Sequence, residues 1–422
     1  MIRWITTTLG TAPHRAFEET QGTYCLDVRG LLDREGNSPE LVRQVVEEGV
    51  RLLRKGLKVV VCCEHGMSRS NALAAGILAS YDQIALDMAI RKVLLATGED
   101  SIRLEVLSTL RGALQSPRKA QVGSGRSRVL ITGASGMIGT WLRTKSLPES
   151  NAADLYTLTA PIDLRRDAVP LDLAVRDQGI DVIVHLAHPR IFSTNKALGE
   201  AVVMLKNVLD VCRENSVRLV YPSSCEIYSG HEGTRVADES VAPRPATTLG
   251  MTKQLCENLI NIYRRENGIK ATVLRFTTVY GGSTQRPAFL WNFIEKAIKN
   301  EEIKTHQSAA GSPTVDLIHV SDVCRAIFAA AGAAIDGDFN LGGGRSVSTH
   351  EIARKVVEIA ASSSRVSQIP VERRWCNLTA DFQRATEVFG WAPEVSFREG
   401  ITQLLEQEGA KNVATEKSGV RT

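Results

Sequence analysis

Aromatic residues make up only 5% of the 422 residues, and no stretch approaches the roughly 18 consecutive apolar residues that a membrane-spanning helix needs. No membrane partner is expected. The opening MIRWITTTLGTAPHR has no basic segment leading into an apolar one, so it does not read as a secretory signal, and a cytoplasmic protein is expected. A formal net charge of +4 is too small for a chain of this length to require a polyanion, and no DNA or RNA partner is expected. The eight cysteines show no metal-ligand spacing and no disulfide framework, so no metal is expected and most read as buried apolar thiols.

What is present is apolar material for real cores, 43% of the residues, in a chain too long for one ordinary domain. Composition breaks once, at residues 115–127, where QSPRKAQVGSGRS is rich in Ser, Gly and charge and has no apolar periodicity. This stretch reads as a linker between a domain at 1–114 and a larger one at 128–407, with a polar, frayed tail at 408–422. In the first domain VRQVVEEGVRLLRKG reads as an amphipathic helix, KVVVCC as a buried strand and SRSNALAAGILASY as a second helix. In the second, RVLITG, DVIVHLAH and VRLVYPSS are apolar strands alternating with helical segments, the pattern of a doubly wound parallel sheet. The expected fold class is α/β in both parts.

The strand ending at Cys63 runs into a short loop and a helix that begins near Arg69 and Ser70. Five residues separate Cys63 from Arg69, enough for backbone N–H groups to wrap one phosphate while the helix N-terminus faces the anion. Such surroundings lower a thiol pKa, and the thiolate is the attacking species. This segment, with Gly66 in the loop, resembles the Cys-x5-Arg-Ser/Thr signature of protein-tyrosine and dual-specificity phosphatases. The resemblance implies that Cys63 is the nucleophile, Arg69 the phosphate clamp, and Ser70 the hydroxyl that assists departure of the thiolate. It also implies an upstream general acid, for which Asp33 is the best match, with Asp27 and Glu35 as further candidates. One departure is Cys62, where the family usually has His.

The second domain opens with a strand, Gly133-x-x-Gly136-x-x-Gly139 and a helix, the arrangement that brings a pyrophosphate against backbone. Together with SSCEIY, Lys253 and the segments from Arg275 and Asp316, this resembles the extended short-chain dehydrogenases, the NAD-dependent nucleotide-sugar epimerase/dehydratase family. The resemblance implies a Rossmann sheet with a small substrate-binding part. It implies cofactor contacts at Gly133, Gly136, Gly139 and, for adenine, Asp163, and catalytic roles for Ser224 and Lys253. No acid closes the second strand, and Arg165 and Arg166 lie just beyond it, so the cofactor is NAD or NADP. The family's Tyr-x3-Lys is altered: Lys253 is present, but Leu249 holds the place of the catalytic tyrosine. Glu226, two residues after Ser224, matches the proton-carrying acid of the family's dehydratases and decarboxylases, with Thr248 or Cys225 near the vacant tyrosine position.

Two readings follow. In one the chain is bifunctional, a Cys-dependent phosphatase joined to an NAD(P)-dependent nucleotide-sugar dehydratase/epimerase-like enzyme. In the other the phosphatase alone works, and the dehydrogenase-like domain is a non-catalytic ligand-binding module. The expected partners are a small nucleotide sugar and a phosphorylated substrate; a homodimer is left open.

Overall fold

A computed structural model of the chain describes residues 1–18, 22–98, 102–114, 126–144, 153–158, 162–189, 194–282, 287–309, 311–333, 335–372 and 375–418. The linker expected at 115–127 lies almost wholly outside them. The chain forms two compact units. The first comprises Met1–Ser124, Leu158–Ile180 and Val203–Val217, and the second Gly125–Thr157, Asp181–Val202 and Arg218–Thr422.

The first unit is built on strands β1 (Arg3–Trp4), β2 (Leu9–Pro13), β3 (Thr23–Asp27) and β4 (Lys58–Cys63), with helices α1 (Pro39–Arg54), α2 (Ser68–Asp82), α3 (Leu86–Thr97) and α4 (Leu104–Ala113). The strand order is β1-β2-β4-β3, with β2 and β3 both parallel to β4. That places β4, apolar on both faces and buried from Val59 to Cys63, in the interior of the sheet. Ser38 caps α1 by accepting from the Leu41 N–H, and Pro39 occupies the first turn, where its missing N–H costs nothing.

The second unit contributes β5 (Ser127–Thr132), α5 (Met137–Thr144) and β6 (Ala153–Thr157). Helix α6 (Val169–Gln178) then belongs to the first unit, as does the C-terminal part of α7 (Asn195–Asn215), which follows β7 (Val182–His185). The chain continues through β8 (Arg218–Ser224), β9 (Gly233–Ala237), α8 (Thr248–Asn267), β10 (Ala271–Phe276), β11 (Thr278–Tyr280) and α9 (Ala288–Ile298). It ends with β12 (Ile303–Gln307), β13 (Thr314–His319), α10 (Val320–Gly332), β14 (Gly337–Leu341), β15 (Ser346–Ser348), α11 (Thr349–Ile359), β16 (Val366–Pro370), β17 (Cys376–Ala380), α12 (Gln383–Phe389) and α13 (Phe397–Ser418). Helical backbone up to Ser418 differs from the frayed tail expected from 408 onward.

Six strands form one parallel sheet in the order β14-β10-β8-β7-β5-β6. The chain starts at β5, steps outward to β6 and then reverses to β7, so the topological switch point lies between β5 and β7. Ligands of open α/β sheets bind at such a point, beyond the carboxyl ends of the strands. Apolar side chains from β5, β7, β8, β10 and α10 form the core under it, among them Val129, Ile131, Val184, Val220, Leu274 and Ile327. Among the described residues no helix is long and apolar enough to cross a membrane.

The first unit also holds a buried polar cluster that no spacing in the sequence marks. The Arg111 guanidinium on α4 donates to Asp172 at 2.6 Å and to Asp87 at 3.1 Å, Arg176 donates to Asp87 at 3.0 Å, and the Asn215 amide donates to Asp172 at 2.7 Å. Asp172 is fully inaccessible. Two segments from within 128–407 are thereby bound to the helices of 1–114 in one compact unit.

Candidate functional site

In the first unit the loop after β4 closes around the Cys63 sulfur. The Gly66 N–H donates to Sγ at 3.2 Å, and the Ser70 hydroxyl and Sγ lie 3.4 Å apart. Gly66 has φ +68°, and a Cβ there would sit 2.3 Å from the Pro13 nitrogen, so the loop can pack against β2 only with glycine. Burial raises the Cys63 thiol pKa, but hydrogen bonds from the Ser70 hydroxyl and from the backbone of Ser70, Met67 and His65 outweigh it, and the net direction is down. Cys62, on the other face of the strand, is raised by burial and by its neighbour Cys25. Adjacent thiols in one strand therefore have opposite characters.

Arg69 is held by its Nη1, which donates to the carbonyls of Arg29 at 3.0 Å and Leu31 at 2.7 Å. Its buried Nε has no acceptor among the described residues. A buried cationic donor left open in the first turn of the helix that follows Cys63 is suited to an anionic oxygen. Asp33 is brought to the same loop, where its Oδ1 accepts from the Ser68 hydroxyl at 2.6 Å and Arg103 lies 3.4 Å from its Oδ2. Asp27 is committed elsewhere. Arg29 grips both its oxygens at 2.8–3.1 Å, and that hydrogen bonding holds the carboxyl below its usual pKa. Glu35 pairs with Arg213 at 3.2 Å.

In the second unit the three glycines have separate reasons. Gly133 has φ +68°, and a Cβ on it would meet the Ala187 backbone at 2.5 Å; one on Gly139 would meet Ala134 at 2.6 Å. A Cβ on Gly136 would meet only the Gly133 carbonyl oxygen, at 3.4 Å, an ordinary contact. The protein itself does not require glycine at 136, so the open cradle there is of the kind a bound pyrophosphate needs.

Ser224 ends β8, and its hydroxyl accepts from the Glu226 N–H at 3.2 Å, capping the short 3-10 turn Cys225–Tyr228. The Glu226 carboxylate accepts from the Thr247 hydroxyl at 2.9 Å, and Thr247 in turn caps α8 through the Gly250 N–H at 3.0 Å. A Cβ on Gly250 would lie 2.3 Å from the Glu226 carbonyl oxygen, so the turn and the start of α8 are in close contact. Leu249 and Lys253 share one face of α8, one turn apart. Lys253 Nζ donates to the Pro222 carbonyl at 2.7 Å and to the Tyr221 hydroxyl at 3.3 Å, and burial lowers its pKa.

Residues 129–342, just over half of the chain, match the NAD dependent epimerase/dehydratase family. The chain belongs to this family. An uncharacterized UDP-glucose epimerase, YtcB, of Bacillus subtilis is 25% identical over 310 residues, 66% of this chain and 96% of that protein. UDP-glucuronic acid decarboxylase 5 of Arabidopsis thaliana is 24% identical over 331 residues, 69% of this chain and 92% of its own length. Among solved structures, the protein MoeE5 in complex with UDP-glucose and NAD has a TM-score of 0.55 at 25% identity, covering 68% of this chain and all of its own. UDP-glucose 4-epimerase of Thermotoga maritima, with UDP-glucose, has a TM-score of 0.57 at 22% identity, covering 68% and 99%.

As an epimerase/dehydratase family member the chain has several site features that its sequence did not reveal. His185 and His188 lie near Lys253; burial and the Lys253 charge lower their pKa values to about 3 and about 4, which keeps both neutral. Beneath Ser224, Arg275 grips Glu257 through both carboxylate oxygens at 2.7–3.2 Å, donates to the Tyr228 hydroxyl at 2.9 Å and to Asp338 at 3.0 Å. Ser223 also donates to Glu257, at 2.5 Å. This network fixes the turn that carries Glu226. The only sequence signal was Glu257 four residues beyond Lys253 on one helix, and a helix-to-strand pair of this kind is not visible in spacing.

One expectation is corrected. Cys225 does not face the vacant tyrosine position: its thiol donates to the Arg275 carbonyl at 3.2 Å within the core, and burial raises its pKa. Tyr228, the nearest tyrosine in sequence to Ser224 on its C-terminal side, is fully buried on Arg275 and Asn340 and does not supply the missing phenol. Asp163 lies in the first unit, where Arg165 holds both of its carboxylate oxygens at 2.8 Å.

Proposed function

We propose that the second unit performs NAD(P)-dependent chemistry on a UDP-linked sugar, of the epimerase or decarboxylase/dehydratase type, and that the first hydrolyses a phosphate monoester through Cys63. The observation that carries the first half is a second unit that holds Leu249 and Lys253 on one face of the first turns of α8, the Glu226 carboxylate bonded to the Thr247 cap of that helix, and a glycine turn whose middle glycine is open to a ligand. The cofactor, when bound, supplies a hydride acceptor. Gly133, Gly136 and Gly139 would hold its pyrophosphate and Lys253 its nicotinamide ribose. Ser224 orients the sugar hydroxyl, and Glu226 moves a proton at the sugar ring. The relatives' names support UDP-sugars as the substrate class, and the complex of MoeE5 with UDP-glucose and NAD supports a nicotinamide dinucleotide.

The phosphatase half rests on the open Arg69 Nε in the first turn of α2 and on a Cys63 thiol, just before that helix, whose hydrogen bonds lower its pKa. Cys63 attacks phosphorus, Arg69 clamps the equatorial oxygens, Asp33 gives its proton to the leaving oxygen, and Ser70 assists release of the thiolate when water completes hydrolysis.

Leu249 favours a second reading, in which the epimerase-like unit binds its ligands without turning them over. An aliphatic side chain takes no proton, and the loss of a positioned base lowers rates by about 10²–10⁴. The readings are separated by two assays on the full chain. NAD or NADP should raise the melting temperature in a concentration-dependent manner, and Gly136→Val should abolish the shift by filling the cradle. Cys63→Ser should abolish aryl phosphate hydrolysis, and Arg69→Ala should reduce it strongly. Cofactor binding without turnover of any UDP-sugar selects the ligand-binding module, and full hydrolysis by Cys63→Ser rejects the phosphatase.

A further inference from the structure

The general-acid loop of the first unit is closed on itself. The Asn37 side chain accepts from the Leu32 N–H at 2.7 Å and donates to the Leu32 carbonyl at 2.7 Å, closing the turn that holds Asp33 and Glu35. On one side Glu35 reaches Arg213 at 3.2 Å; on the other, Asp33 faces Arg103 at 3.4 Å and accepts from Ser68. Arg103 precedes α4, and its own N–H donates to the Ser68 hydroxyl at 3.1 Å. Glu105, in the first turn of α4, lies 3.5 Å from the same Arg213, and Glu214 accepts from it at 3.1 Å. Arg213 thus gathers three carboxylates around one largely buried guanidinium. Two of them, Glu35 and Glu105, tie the Asp33 loop and α4 to the same cation.

Arg213 sits on the part of α7 that belongs to the first unit, although in sequence it lies inside the epimerase/dehydratase match. We propose that Arg213 is a positioning residue for the phosphatase reaction, clamping the Asp33 loop to α4 so that the Asp33 carboxyl stands at the phosphate loop. The inference rests on the phosphatase reading above. The step it serves is cleavage of the ester P–O bond: the Cys63 sulfur forms a bond to phosphorus, the ester oxygen takes the bonding pair, and Asp33 gives that oxygen its proton. A loop displaced by about an ångström still leaves Cys63 and Arg69 intact but fails to protonate a basic leaving group.

The test uses the full chain with two substrates, an alkyl phosphate, whose leaving oxygen needs a proton, and 2,4-dinitrophenyl phosphate, whose leaving group does not. Arg213→Met should lower kcat for the alkyl ester roughly tenfold, part of the whole general-acid effect, with KM unchanged, and should leave the dinitrophenyl ester within about twofold. The basic limb of the kcat–pH profile for the alkyl ester should flatten. Arg213→Lys should restore most of the rate, and Glu35→Gln, an exposed change that does not threaten folding, should reproduce part of the leaving-group-dependent loss. Equal losses for both esters, or none for either, would overturn the clamp while leaving the phosphatase reading in place. No Cys63-dependent hydrolysis of either ester by the wild type would remove that reading and the clamp with it.

Discussion

Leu249→Tyr is the most informative single change in the epimerase-like unit. Leu249 is half-buried on the first turn of α8, and Lys253 lies on the same face one turn later, so a phenol at 249 would extend over the Lys253 ammonium. A nearby cation in a poorly solvated site lowers a phenol pKa by favouring phenolate, and every tenfold gain in the phenolate population corresponds to about 1.4 kcal/mol. Glu226 is already fixed beside this turn through Thr247, and Arg275 and Glu257 hold the backbone beneath it, so the rest of the site is built. The full effect of a positioned base is about 10²–10⁴ in rate. A phenol introduced without its own supporting contacts should recover at least about tenfold, or about 1.4 kcal/mol of barrier. The assay is formation of reduced nicotinamide at its absorbance band with a panel of UDP-sugars. A gain means that the site is otherwise intact and that the natural protein dehydrogenates slowly for want of the phenol. A loss means that the wild type has its own base and that the new ring obstructs it. Glu226→Gln in the wild-type background then shows whether that base is Glu226. No turnover in either protein would refute the reasoning.

Further predictions concern the framework. Asp172→Ala strands the Arg111 guanidinium in the interior with only Asp87 left, and breaking a buried pair of this kind destabilises by about 3–5 kcal/mol; chemical denaturation of the full chain checks it, and a loss under about 1 kcal/mol would contradict the cluster's role. The double change Arg111→Met with Asp172→Leu should be much milder than either single change, because no uncompensated charge remains. Burial pushes the Asp316 carboxyl up to about 6 despite hydrogen bonds from the Gly343 and Ala380 N–H groups. A folded-state pKa above the unfolded value means that stability is full below about pH 4 and is lost as the pH rises through about 6. The stability difference between wild type and Asp316→Asn should therefore shift against the wild type by about 3 kcal/mol over that interval, and a flat difference would contradict it.

The parts of the fold legible in the sequence were those written in local pattern. The run KVVVCC announced an interior strand because both of its faces are buried, and Gly66 with Arg69 announced the loop because both obey strict geometric demands. The glycine turn after β5 was legible for the same reason. What was not legible depends on packing between distant segments. Asp172, Arg176 and Arg111 belong to no motif but are buried together, with Arg111 bonded to Asp172 and Asp87 and Arg176 bonded to Asp87. Helix α6 therefore belongs with 1–114, although its sequence neighbours belong to the second unit. Cys225 was expected near the vacant tyrosine position because it follows Ser224, but a 3-10 turn directs its thiol to the Arg275 carbonyl. Arg213 carries no motif, and only the fold brings it to Glu35.

The measurement that tests the central claim most directly is the absorbance of nicotinamide in the purified full chain, loaded with NAD or NADP, after a UDP-sugar is added. Reduced nicotinamide should appear with at least one UDP-sugar and disappear as product forms, and Gly136→Val should show neither change. A wild-type chain that neither binds either dinucleotide nor yields any reduced form with UDP-glucose, UDP-galactose or UDP-glucuronic acid would contradict it.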